Sequence, residues 1–151
     1  MKLDPMDRKL LNLIQVNFPL VPEPYRALGE ALGIQEEEVI SRIKLLLDEG
    51  IIRRLGGIFD SRKLGYSGTL CTMSVAEDRI DEVAVVVNSF PGVTHNYLRE
   101  HVFNMWFTVL AESKERLEQI LNQIRERTGI EEIITLPSEN IFKIRVNFDL
   151  D

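Results

Sequence analysis

Gly92-Val-Thr-His-Asn-Tyr-Leu-Arg-Glu-His-Val-Phe-Asn-Met-Trp-Phe-Thr-Val-Leu110 reads as two strands with a turn between them. Gly92 to Arg99 forms the first strand, Asn104 to Leu110 the second, and His101 lies in the turn. The neighbouring segments have a different period. Before the pair, Leu70 to Val75 reads as a strand, and Glu77 to Ser89 as a helix with Ile80, Val83, Val86 and Val87 turned inward. After it, Ser113 to Thr128 reads as a helix with Leu117, Ile120, Leu121 and Ile124 inward, and Ile130 to Leu136 as a strand. The resulting β-α-β-β-α-β order is the ferredoxin-like split βαβ arrangement. The alternating segment Ile141-Phe-Lys-Ile-Arg-Val-Asn-Phe148 is expected to add an edge strand or to pair with a partner chain.

The N-terminal half has another order. Asp4-Pro5 opens a helix with a capping carboxylate and a proline in the first helical position. Leu10, Leu11, Leu13 and Ile14 supply its apolar face, and Pro19 and Pro22 stop it. Pro24 starts a second helix ending at Gly33, and a third runs from about Gln35 to Glu49 with Gly50 at its end. Ile51 to Leu55 and Ile58-Phe59, with Gly56-Gly57 between them, predict a hairpin. Three helices and a hairpin make a winged helix-turn-helix. The fold class is therefore α+β, with a winged helix-turn-helix over residues 1–63 and a ferredoxin-like domain over 64–151.

Composition narrows the function. The net charge of −6 provides no global field for nucleic acid, so DNA binding would require a local basic patch. The single cysteine, Cys71, rules out an intrachain disulfide and sits in an apolar run that predicts a small core residue. No apolar run is long enough to span a bilayer and the N-terminus has no signal region, so a cytoplasmic location is expected.

A winged helix-turn-helix suggests a DNA reader whose third helix enters the major groove. Here that helix opens on Gln35-Glu-Glu-Glu38, which suits the positive end of a helix dipole and opposes a phosphate surface. Only Arg42 and Lys44 oppose its five acids, so DNA is disfavoured as a partner. Positive charge gathers instead at Arg53, Arg54, Arg62 and Lys63. These side chains could hold the carboxylates of a polyanionic small ligand, grip phosphates as a wing does, or simply be solvated.

Both histidines of the chain, His95 and His101, and its only tryptophan, Trp106, lie in the strand pair. Period two places His95, Tyr97 and Arg99 on one face, with Asn96 and Leu98 on the other. Such a face can anchor and protonate an anionic substrate, bring an imidazole to iron in a macrocycle, or form half of a subunit interface. Two histidines without an acidic cluster do not make a protein-only metal site.

The same residues resemble a known group. The Leu3-Asp-Pro-Met-Asp-Arg-Lys-Leu-Leu11 start and Asp48-Glu-Gly-Ile-Ile52 resemble the Lrp/AsnC superfamily, whose members join a helix-turn-helix to a ferredoxin-like ligand domain. Where its regulators carry Gly-x-x-Asp-Tyr, this chain has His101-Val-Phe-Asn104-Met. His95-Asn-Tyr-Leu-Arg-Glu-His-Val-Phe-Asn-Met-Trp-Phe-Thr108 is similar to the signature of the siroheme decarboxylases, the AhbA/AhbB and NirD/L/G/H proteins. Phe18-Pro-Leu, Ile52-Arg-Arg-Leu-Gly56 and Phe59-Asp-Ser-Arg-Lys-Leu-Gly-Tyr66 fit that branch and resemble the AhbA-type subunit in particular.

The resemblance implies loss of two acetate carboxyls, at C12 and C18 of siroheme, giving 12,18-didecarboxysiroheme on a route to haem or haem d1. It implies a heterodimer with a homologous AhbB-type subunit, or a homo-oligomer, and makes the helix-turn-helix a scaffold. No separate cofactor is required, because iron arrives within the substrate. His95, His101 and Tyr97 are then the catalytic candidates. Arg53, Arg54, Arg62, Lys63, Arg99, Asn104 and Trp106 are the substrate-binding candidates, with Phe103, Trp106 and Phe107 available as an aromatic floor. Two other functions compete with this one: an Lrp/AsnC-type DNA-binding regulator with a small effector, and a tetrapyrrole sensor without catalysis. The residues alone leave open which histidine meets iron and which gives a proton.

Overall fold

The computed structural model describes residues 2–143 and 147–150. They form two compact units, one running to Gly57 and taking in the residues from Lys143 onward, the other spanning Ile58–Phe142.

The first unit is built on three helices, α1 (Pro5–Val16), α2 (Pro24–Leu32) and α3 (Glu36–Asp48). The start of α1 is a reciprocal capping box: Asp4 accepts from the Asp7 backbone N–H at 2.7 Å, and Asp7 accepts from the Asp4 N–H at 3.0 Å. Leu10, Leu28, Val39, Ile43, Leu46 and Ile52 form a buried core. Gly29 permits the tight turn between α2 and α3, since a Cβ there would stand 2.7 Å from the Ile34 carbonyl oxygen. Gly33 ends α2 at φ 71°, a left-handed cap that suits glycine.

The helix-turn-helix matches expectation, but the wing does not form. No strand occurs between residues 51 and 59, and Ile58 and Phe59 are 87% and 77% exposed. A lone two-stranded ribbon is marginal without a third strand or a packed helix. The C-terminal strand is likewise absent from Ile141–Lys143 and residues 147–148, while its centre, 144–146, lies outside the described residues. Phe148 instead exchanges backbone hydrogen bonds with the Gln15 side chain on α1, at 2.6 and 2.9 Å.

Arg42 on α3 reaches Asp4 and Asp7, both at 2.8 Å, and Glu38 at 2.9 Å. One of the two cations of the recognition helix is thus spent on tying α3 to α1. The glutamates Glu36, Glu37 and Glu38 occupy the first turn of that helix.

The second unit contains β1 (Ser67–Met73), a short 3₁₀ turn, α4 (Ile80–Asn88), β2 (Val93–Leu98), β3 (Met105–Ala111), α5 (Lys114–Thr128) and β4 (Ile133–Leu136). The strands form one antiparallel sheet in the order β2-β3-β1-β4, the expected split βαβ topology. Met105, Phe107, Val109 and Ala111 alternate with partly exposed neighbours along β3. Those four residues, with Cys71 and Met73, pack against Val83 and Val87 of α4 and Ile120, Leu121 and Ile124 of α5. Cys71 is fully buried, and burial pushes its thiol up to about 12. No helix among the described residues is long and apolar enough to cross a membrane.

Candidate functional site

The β2–β3 pair carries the candidate residues on the sheet face away from α4 and α5. Register pairs His95 with Thr108 and Tyr97 with Trp106, and directly opposed residues of an antiparallel pair share a face. Asn96 and Leu98 oppose the buried Phe107 and Met105, so they lie on the helix side. Asn96 there donates to Asn88 of α4 at 2.9 Å. Phe107 is fully buried in the core, which removes it from the expected aromatic floor.

A β-bulge sets this arrangement. Val93 pairs with Val109 and His95 with Thr108, so Thr94 is an extra residue in β2. Unbroken alternation would have put His95 on the same face as Val93, which packs against the core. The bulge lets Val93 stay inward while His95 turns outward. It also brings Thr94 to the same place: its hydroxyl lies 2.8 Å from that of Thr108, and Nδ1 of His95 lies 3.1 and 3.3 Å from the two.

Arg99 follows β2. Its guanidinium stacks over the Trp106 ring at 4.8 Å and the Tyr97 ring at 5.2 Å, and it donates to the Tyr97 hydroxyl at 3.3 Å. The two rings anchor the cation, and with one N–H given to the Tyr97 hydroxyl its other N–H groups are the donors an anion can take. Trp106 is fixed in turn by its indole N–H, which donates to the Phe103 carbonyl at 2.8 Å.

His101 occupies the turn, as expected. Its Nδ1 accepts the Phe103 backbone N–H at 3.1 Å, and its ring stacks on Phe103 with centroids 6.1 Å apart. Nε2 therefore carries the hydrogen of the neutral ring. Asn104, expected to bind substrate, uses both ends of its amide on Val75: it accepts from the N–H at 2.9 Å and donates to the carbonyl at 2.8 Å. It acts as a staple extending the β1–β3 ladder beneath the turn.

The remaining cations are less organised. Arg62 is exposed and sits 3.4 Å from Asp60, whose carboxyl it holds below the usual carboxylate range. Lys63 is exposed, as are Arg53 and Arg54, which belong to the first unit. Among the described residues, no group of three or more His, Cys, Asp or Glu could hold a metal ion.

Comparison with known proteins places the chain in a family. Residues 7–53 match the siroheme decarboxylase NirDL-like HTH domain, and residues 63–143 match the AsnC-like ligand binding domain. The siroheme decarboxylase alpha subunit of Desulfovibrio desulfuricans is 50% identical over 149 residues, covering 99% of this chain and 86% of that protein. The chain belongs to the siroheme decarboxylase family. A more distant member, the siroheme decarboxylase NirG subunit of Pseudomonas aeruginosa, is 38% identical over 98% of this chain and all of its own length. The crystal structure of the siroheme decarboxylase NirDL superposes with a TM-score of 0.73 at 36% identity; it covers 97% of this chain, which spans about half (48%) of the NirDL chain. NirDL has also been crystallised in complex with an iron-uroporphyrin III analogue. Escherichia coli AsnC, at 20% identity and a TM-score of 0.81, shares the fold.

Proposed function

We propose that this chain is the alpha-type subunit of a siroheme decarboxylase, acting non-oxidatively on the C12 and C18 acetates to give 12,18-didecarboxysiroheme for haem or haem d1. The observation that carries this is the β2–β3 hairpin, whose outward face holds an imidazole and a phenol beside the guanidinium of Arg99, and whose turn carries the second imidazole. In each event the bond between the acetate methylene and its carboxylate breaks, CO₂ leaves, and the electron pair delocalises into the conjugated macrocycle. A proton then completes a methyl group. The substrate is its own electron sink and brings its own iron, so the protein has to hold carboxylates and deliver a proton.

Arg99 serves the first task, through the N–H groups not given to the Tyr97 hydroxyl. Arg53, Arg54, Arg62 and Lys63 are assigned to other substrate carboxylates on charge and exposure. Trp106 and Phe103 supply aromatic surface. His95 is the proton donor, because Nδ1 rests on hydroxyl oxygens that can accept its hydrogen while Nε2 carries the proton to be delivered. Protonation of His101 at Nδ1 would displace the Phe103 N–H, so His101 acts through its Nε2–H as a hydrogen-bond donor to the substrate. Tyr97 orients Arg99. A homologous second subunit completes the enzyme, a reading supported by relatives named as alpha and NirG subunits. The location is cytoplasmic.

Anaerobic incubation with siroheme, alone and with a neighbouring homologous subunit, tests the proposal. Two successive losses of CO₂ in the product mass are expected. A spectral shift at constant mass would make the chain a sensor, and sequence-specific, salt-dependent DNA binding without turnover would make it a regulator.

A further inference from the structure

The three contacts around Nδ1 of His95 limit where hydrogens can be. Each threonine hydroxyl has one hydrogen to give. The 2.8 Å separation of the Thr94 and Thr108 oxygens requires one of these two hydrogens between them. An unprotonated Nδ1 could then receive only the other, and the second of its contacts, at 3.1 or 3.3 Å, would be plain van der Waals contact with no hydrogen bond in it. An Nδ1–H shared between the two oxygens satisfies all three. The β-bulge makes the cluster possible, since it sets Thr94 and His95 together against Thr108.

We infer that Thr94 and Thr108 are positioning residues that hold the neutral His95 ring as its Nδ1–H tautomer and aim Nε2 at the substrate. This inference rests on the decarboxylase reading for its chemical purpose. A ring that delivers its proton from Nε2 is left neutral with its remaining hydrogen on Nδ1, and this is the form the two hydroxyls accept. The acid therefore returns to its resting tautomer without moving a second proton. His101, with Nδ1 accepting from the Phe103 N–H, is held in the opposite tautomer and serves as an internal reference.

Nitrogen-15 NMR of the histidine side chains, in the neutral form of each ring, tests this on the protein without substrate. Wild type should show a protonated Nδ1 at His95 and a protonated Nε2 at His101. In the T94V/T108V variant the His95 pattern should reverse while that of His101 stays. A protonated Nε2 at His95 in wild type overturns the inference, as does an unchanged His95 pattern in the double variant. In siroheme turnover T108V should lose on the order of ten- to a hundredfold in kcat with KM little changed, and T108S should recover most of it. A T108V enzyme with wild-type kcat overturns the positioning role. Because the tautomer readout needs no substrate, a protein without decarboxylase activity would sink the functional reading and leave the tautomer result intact.

Discussion

The Phe103 backbone N–H donates to Nδ1 of His101 at 3.1 Å, and that contact separates the roles of the two histidines. His101 can offer an Nε2–H but gains a second proton only by breaking the bond to Phe103. In the Nδ1–H tautomer inferred above, His95 loses no hydrogen bond on protonation. His95→Ala should therefore lower kcat by about two to four orders of magnitude, the usual worth of a placed proton donor. His101→Ala should act mainly through KM. Steady-state kinetics with siroheme under anaerobic conditions separates the two effects, and the reverse split would exchange the assignments.

Arg99 combines contact with two aromatic rings and several N–H donors, a combination that an ammonium group does not reproduce. Arg99→Lys should raise the dissociation constant for siroheme about tenfold, roughly the worth of one charge-assisted bidentate contact. Spectroscopic titration reads this directly, and an unchanged constant would remove Arg99 from substrate binding.

The helix-turn-helix owes part of its stability to Arg42, because Asp7, with its side chain only 6% exposed, has that guanidinium as its cationic partner. Arg42→Met should destabilise the protein by about 3 kcal/mol, read as a lower urea midpoint. The Arg42 hydrogen bond also holds the Asp4 carboxyl below its ordinary value of 3.8. The sign follows from a depressed acid: the contribution is fully present above pH 3.8 and fades as pH falls through the lower folded value. Wild type should show that acid limb, and Arg42→Met should flatten it. Equal midpoints and equal acid limbs would show that the cluster contributes nothing.

Cys71 pairs with Phe107 inside the sheet, and its thiol is pushed up to about 12 by burial. Iodoacetamide at pH 8 should leave the folded protein unlabelled and modify it fully in urea. Rapid labelling of the folded protein would show that the core opens there.

Much of this was legible in the residues. The periods of Ile80–Val87 and Leu117–Ile124 gave both helices of the second unit, and the clustering of His95, Tyr97, Arg99 and His101 marked out the candidate site. The rest depends on pairing that the chain cannot announce locally. The bulge at Thr94 arises from register against β3, so period two could group His95 with Tyr97 but not show that Thr94 joins them. Asn104 looked like a polar ligand because its partner, Val75, is 29 residues away. The wing was expected from strand-forming residues at 51–59, whose side chains find no sheet to join. Phe107 and Trp106 are adjacent aromatics in the sequence, but adjacent strand residues face opposite ways, so of the two only Trp106 lies on the outward face.

The central claim is that this family member transfers a solvent-derived proton to each carbon that loses CO₂. Anaerobic turnover of siroheme in D₂O, with the product analysed by mass spectrometry, tests it most directly. The account predicts loss of two CO₂ and one solvent deuterium in each new methyl group. Siroheme recovered at unchanged mass, or product without solvent deuterium, would contradict it.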